Sequence, residues 1–333
     1  MKRKICLFIG SYRPVVSRRD SGEELIKALL PQGLNLTTVY LRPDDPLRKK
    51  KYKNCTIKTI PQIMRQPRKH IVKSFKENEF TADWKSWMDD FRLENYDLGI
   101  VYFGSWIPPE LFNTPKYGFI NFHPGPLPSL RGFEAETWAI LSDMRYFYGT
   151  VHRVSENYDE GEIIWRTPKV RIRQKETPTS ILQRVCYSGI KNIHRVTQQF
   201  LAGRLNTISQ KAEDGILASV KFVSSYARVD WAKDSLNVLN RKNRAFNGQY
   251  ISVSLTLNHK GQERIIRDLH VIPGEQEGGL GKYLGKYPNP GHFQGKDMFQ
   301  ALDGIVIFDF LPHGSTKPLR AAVFAEYNDK IYS

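Results

Sequence analysis

Three short stretches of almost unbroken apolar residues, Ile5–Ile9, Leu98–Phe103 and Gly118–Phe122, decide the fold class of this chain. A strand with one wet face alternates apolar and polar residues. One that is apolar throughout must be covered on both faces, which is the position of a strand in a mostly parallel sheet flanked by helices. The intervening segments supply those helices. Glu23–Leu30 reads as a helix, closed by a loop containing Gly33, and Leu36–Leu41 reads as the next strand. Thr81 is placed to cap a helix carrying Trp84, Met88 and Phe91 at helical spacing, read as core. Thr177-Pro178 opens a longer helix to about Leu201, with Ile181, Val185, Ile193, Val196 and Phe200 as its inward stripe.

Past Gly203 the pattern changes to a helix at Lys233–Arg244 and short strands at Tyr250–Leu257, Arg264–Val271, Gly304–Phe310 and Arg320–Glu326, broken by a Gly/Pro-rich stretch from Pro273 to Gly295. That order suggests a small β-barrel. The expected organisation is an α/β domain over 1–205, a polar linker over 206–225 and a smaller β domain over 226–333. No apolar run approaches the length of a membrane span. Ile5–Ile9 is too short for a signal-peptide core. Cys6, Cys55 and Cys186 are scattered and lack CxxC spacing, which fits a reducing, cytoplasmic setting without a structural metal.

Fifty Lys and Arg against 34 Asp and Glu give a net charge of +16, a field that favours an anionic partner such as RNA or a nucleotide-linked substrate. Between Arg42 and Lys76 stand 12 basic residues and two acids, interrupted by prolines. The segment reads as a basic loop able to lie along phosphates.

Gly10 follows the first strand, but the sequence after it offers no GxGxxG, and no P-loop is present. The richest stretch is Ile120–Arg131, INFHPGPLPSLR. It starts as a strand and breaks at Pro124-Gly125-Pro126, placing Asn121 and His123 at the strand's carboxyl end, where open α/β sheets bind ligands. Residues two apart share a face, so the carboxamide and imidazole point to one place. That pair suits a carbonyl carbon under attack, Asn121 holding a developing oxyanion and His123 moving a proton. Asp159, in the turn Asp159-Glu160-Gly161 before a strand, is suited to orienting an imidazole. His152 is close enough to compete for the role and reads as a sheet histidine beside the site.

Together, Asn121-Phe122-His123, the loop from Leu127-Pro128 to Arg131-Gly132, and Asp159-Glu160-Gly161 at a gap of 36 residues from His123 resemble the folate-dependent N-formyltransferase family. Its members act on methionyl-tRNA or on nucleotide-linked amino sugars. The resemblance covers Leu98 to about Leu201 closely and the remainder loosely. It implies a Rossmann-like formyltransferase domain followed by an OB-fold-like barrel, 10-formyltetrahydrofolate as formyl donor, no metal, and Asn121, His123 and Asp159 as catalytic residues. Val101 to Pro108 resembles the family's pterin-binding strand and loop, which implies donor contacts at Tyr102, Phe103, Gly104, Ser105 and Trp106, continued by Pro124, Gly125, Leu127 and Pro128. Arg131, Gly132, Glu134 and Glu136 fall where the acceptor would bind. The family's usual Ser-Leu-Leu-Pro is Gly125-Pro126-Leu127-Pro128 here, and two acids, Glu134 and Glu136, follow Arg131-Gly132 in place of small residues and a proline. The implied partner is an anionic acceptor, methionyl-tRNA ahead of an amino-sugar nucleotide, with no membrane. An idle RNA-binding protein on the same scaffold and a donor hydrolase are the competing functions.

Overall fold

Strand β1 (Lys4–Ile9) sends Ile5, Leu7 and Ile9 into one apolar core and Cys6 and Phe8 into another. This two-sided burial is what the unbroken apolar runs require. The computed structural model describes residues 2–10, 15–16, 18–30, 33–61, 64, 82–103, 106–246, 254–275 and 278–312. Within them, β1 joins β2 (Asn35–Leu41), β3 (Thr56–Thr59), β4 (Leu98–Tyr102), β5 (Phe119–His123), β6 (Thr150–Arg153) and β7 (Ile163–Arg166) in a seven-stranded sheet ordered β7-β6-β5-β4-β1-β2-β3. The five strands from β5 to β3 are parallel, while β6 and β7 run antiparallel at one edge.

Helix α1 (Ser21–Leu29) starts where the Asp20 carboxylate accepts the backbone N–H groups of Gly22 and Glu23 at 2.7 and 3.2 Å. Helix α2 (Ala82–Leu93) buries Trp84, Met88 and Phe91 against Phe8, Tyr40 and Phe119, so these aromatics are core as expected. Helix α3 (Ala135–Leu141) follows the loop after β5. Helix α4 (Pro178–Leu201) is capped by Thr177 in a reciprocal box with Ser180, and its expected stripe from Ile181 to Phe200 is buried on the sheet face that α1 also covers.

The helix expected from Lys233 begins three residues later, as α5 (Leu236–Phe246), because Asp230 and Asp234 hold a turn ahead of it. Five antiparallel strands follow: β8 (Thr256–His259), β9 (Gln262–Pro273), β10 (Tyr283–Lys286), β11 (Asp297–Ala301) and β12 (Gly304–Phe310), ordered β8-β9-β12-β11-β10. The expected strand at Arg320–Glu326, the start of that at Tyr250, and residues 62–63 and 65–76 of the basic segment lie outside the described residues. Helix α5 packs between α3 and β9. Arg241 pairs with Asp143 at 3.0 Å, and Arg244 donates to the Glu176 carbonyl at 3.1 Å.

Segment 206–225 lies across loops of the seven-stranded sheet. Ile208 exchanges backbone hydrogen bonds with Ile163 at 2.8 and 2.9 Å, and Ile216–Leu217 pairs with Leu130–Arg131 in parallel. It therefore grips both the segment after Asp159 and the segment after His123. Among the described residues no helix is long and apolar enough to cross a membrane.

Candidate active site

Alternation along β5 sends Ile120 and Phe122 into the core beneath α4 and leaves Asn121 and His123 together on the other face, at the strand's carboxyl end. Antiparallel register then places His152 directly opposite Asn121, and Thr150 opposite His123. The third side chain arrives from a turn. Asp159 takes a left-handed conformation (φ 56°), and at Gly161 any Cβ would collide with the Arg153 carbonyl, which is why the turn needs glycine there.

These elements converge. Asn121 Nδ2 donates to His152 Nε2 at 3.1 Å and to Asp159 Oδ1 at 3.3 Å. His123 Nδ1 lies 3.5 Å from Asp159 Oδ2, and the backbone N–H of Gly132 donates to the same oxygen at 2.9 Å. His123 and Asp159, 36 residues apart in sequence, thus meet in the lining of one cleft.

The hydrogen bonds assign the protons. His123 Nε2 faces the Leu130 carbonyl at 3.0 Å; a carbonyl only accepts, so Nε2 carries hydrogen and Nδ1 presents a lone pair towards Asp159. In the same way the Arg153 carbonyl, 2.7 Å from His152 Nδ1, leaves His152 Nε2 to accept from Asn121. Burial pushes the basicity of His123 below the ordinary imidazole value, against the opposing pull of the Asp159 charge. Burial alone would raise Asp159. The positive charge of His123 and His152 in their protonated forms, and the Gly132 N–H, outweigh it and hold the carboxylate well below its usual range. The result is a neutral imidazole with a free basic nitrogen beside a permanent carboxylate. That arrangement can take up a proton and stabilise the resulting cation.

The remaining expected residues divide. Phe103, Trp106, Pro124, Gly132 and Glu136 line the cleft with Val101, Ile107 and Val154, giving it an apolar wall and a polar end. Gly104 and Ser105 lie outside the described residues. Tyr102 points into the core against Phe122, and its carbonyl accepts from Gly10 at 2.9 Å. Gly125 runs beneath the His123 ring with no room for a Cβ. Leu127 is buried and donates its N–H to Thr150 at 3.2 Å, next to a cis peptide bond before Pro128. Arg131 pairs with Glu160 and reaches the Gly215 carbonyl at 3.3 Å, so it braces the Asp159 turn. Glu134 accepts the Thr137 hydroxyl at 2.7 Å at the start of α3.

Two residues of the site were not assigned a role from sequence. His152, read as a neighbour, touches both Asn121 and Asp159. Its position opposite Asn121 follows from strand pairing and has no local signal. Gln210, from the expected linker, donates Nε2 to the Asp159 carbonyl at 3.1 Å and to the Gly161 carbonyl. Among the described residues no group of three or more His, Cys, Asp or Glu could hold a metal ion.

Comparison with known proteins bears directly on this arrangement. The formyl transferase family model matches residues 21–197. Methionyl-tRNA formyltransferase of Geobacillus sp. (strain WCH70) is 26% identical over 222 residues, 66% of this chain and 67% of that protein. The methionyl-tRNA formyltransferase of Lachnospira eligens is also 26% identical, over 212 residues covering 63% and 64% of the two chains. Among solved structures, HypX from Aquifex aeolicus in complex with tetrahydrofolic acid has a TM-score of 0.56 at 18% identity, covering 98% of this chain and 48% of its own, so this chain spans about half of HypX. WlaRD, a sugar 3N-formyl transferase in the presence of dTDP and 5-N-formyl-THF, has a TM-score of 0.60 at 14% identity and covers 93% and 98%. With more than half of its 333 residues matched by the family model, the chain belongs to the formyl transferase family.

Proposed function

We propose that this enzyme moves a formyl group from 10-formyltetrahydrofolate to a primary amine, and that the amine is that of methionyl-tRNA. The observation that carries the reading is the cluster of Asn121, His123 and Asp159 at the carboxyl end of β5. The donor, when bound, supplies an electrophilic formyl carbon. His123 Nδ1 accepts the proton that the attacking amine sheds, Asp159 holds the imidazolium so formed, and His123 returns the proton to the folate nitrogen as its bond to the formyl carbon breaks. Asn121 exchanges one amide hydrogen bond for the oxygen on which charge develops. His152 and Gln210 keep Asn121 and the Asp159 turn in place.

The cleft suits a folate. An apolar wall of Val101, Phe103, Trp106 and Ile107 ends at polar groups, as a flat heteroaromatic ring requires. Phe103, Trp106 and Pro124 are the side chains that would hold it. The methionyl-tRNA acceptor is supported by the +16 charge and by relatives of that activity over two thirds of the chain. We read the C-terminal sheet as an OB-fold-like domain over 226–333, joined to the catalytic domain at 1–205 by 206–225.

Incubating the protein with the donor and a panel of methionyl-tRNA and amino-sugar nucleotides tests this, read by a mass gain of one formyl group. Formylated methionyl-tRNA, at a rate falling steeply between roughly 50 and 200 mM salt, is the expected result. A formylated sugar nucleotide with shallow salt dependence would move the acceptor to the sugar class. Formate release without any acceptor would make the protein a hydrolase.

A further inference from the structure

The cleft contains a second acid that the chemistry above does not use. Glu136 stands in the first turn of α3, lines the same cleft as Asn121, His123 and Asp159, and is 7% exposed. Apart from its own backbone N–H, its carboxyl has no ion-pair or hydrogen-bond partner among the described residues. The neighbouring acid Glu134 accepts the Thr137 hydroxyl.

A carboxyl taken out of water without a cation is costly, and an apolar side chain of similar bulk would serve packing better. Burial, and then the Glu134 charge, push Glu136 well above the ordinary carboxylate range, the response expected of an acid that lacks a counter-charge. A chain of net charge +16 nevertheless places this acid inside its reaction cleft. Of the two reactants, the folate donor is anionic with a neutral ring, and the amine that receives the formyl group is the one cationic centre.

We propose that Glu136 binds the acceptor's amino group as its ammonium ion and so selects primary amines as substrates, an inference that rests on the formyl-transfer reading. The ammonium supplies the positive charge that the carboxyl lacks in the free protein. It is thereby held in the cleft that His123 also lines, and its first proton passes to water before the free amine attacks. Glu136 is a specificity-determining residue, separate from the apolar wall that suits the donor.

Glu136→Gln keeps the shape and removes the charge, and Glu136→Leu fills the space with an apolar group. Calorimetric titration with 5-formyltetrahydrofolate should give both variants an affinity within about twofold of the unaltered protein. The KM for the amine that the unaltered protein formylates should rise roughly tenfold or more in Glu136→Gln, with kcat changed far less. Thermal unfolding of Glu136→Leu should come at the same or a higher temperature. An unchanged acceptor KM overturns the inference while leaving formyl transfer intact. A loss of folate affinity overturns it too, by assigning Glu136 to the donor, and collapse of both variants makes the residue structural. Unaltered protein that binds the folate but formylates no amine would overturn the formyl-transfer reading itself.

Discussion

Buried carboxyl groups are treated in opposite ways at the two ends of this molecule. In the C-terminal half, Asp234 lies 2.6 Å from Lys242, both nearly inaccessible, and Asp309 on β12 is met by Lys296 at 2.8 Å and Arg267 at 2.7 Å. In the cleft, Asp159 is surrounded by two imidazoles, a carboxamide and a backbone N–H, and Glu136 has no partner of the kind. A Lys or Arg beside an acid neutralises it permanently. Neutral donors keep the charge of Asp159 available to a proton in transit, and a carboxyl without a partner is open to an incoming cation. These C-terminal acids have a resident cation and the two cleft acids have no Lys or Arg, which on the proposed reading leaves the cleft open to the charge of a substrate.

That contrast is open to direct test. Lys242→Met strips the cation from Asp234 and should destabilise the protein by about 3–5 kcal/mol in urea unfolding, with kcat per folded molecule preserved. His123→Ala should do the reverse: turnover falls by hundreds-fold or more, the equivalent of ~2.7–4 kcal/mol, while circular dichroism shows an intact fold. A folded His123→Ala protein at near-normal rate would remove the proposed site.

Next in size is Gln210→Ala, which frees the Asp159 turn from segment 206–225. A drop of roughly tenfold in kcat is expected, with folate affinity unchanged, because a small loss of alignment slows chemistry more than binding. An equal loss of folate affinity would make Gln210 a general structural support.

The pH dependence follows from His123. Its folded-state basicity lies below the ordinary value of about 6.5, so the unfolded chain takes up a proton first as pH falls. Stability should therefore decline with acid from about pH 6.5 downwards, and the acid limb of kcat should lie below that value. Asp159→Asn, by removing the countercharge, should carry the acid limb lower still. Smallest is Arg241→Ala at the α3–α5 contact. Its partner Asp143 is largely exposed, so the loss should stay within about 1 kcal/mol.

Much of the site was legible before the fold. Asn121 and His123 are two residues apart, and strand geometry alone puts them on one face; the break at Pro124-Gly125-Pro126 puts them at its end. The capping of α4 by Thr177 and the two-sided burial of β1, β4 and β5 follow equally from local chemistry and alternation. Expected strand ends shifted by a residue, as at β5, where His123 is still inside the strand.

The rest had no local expression. His152 meets Asn121 through antiparallel register, Gln210 reaches Asp159 across 51 residues, and Tyr102 turns inward because the face of β4 it occupies is packed against Phe122. Periodicity and capping act over one or two turns of chain, so they are written in neighbouring residues. Which acids receive a cation, and which are left to meet a substrate, depends on side chains brought together from distant segments, and only the assembled sheets and the segment strapped across them set those distances.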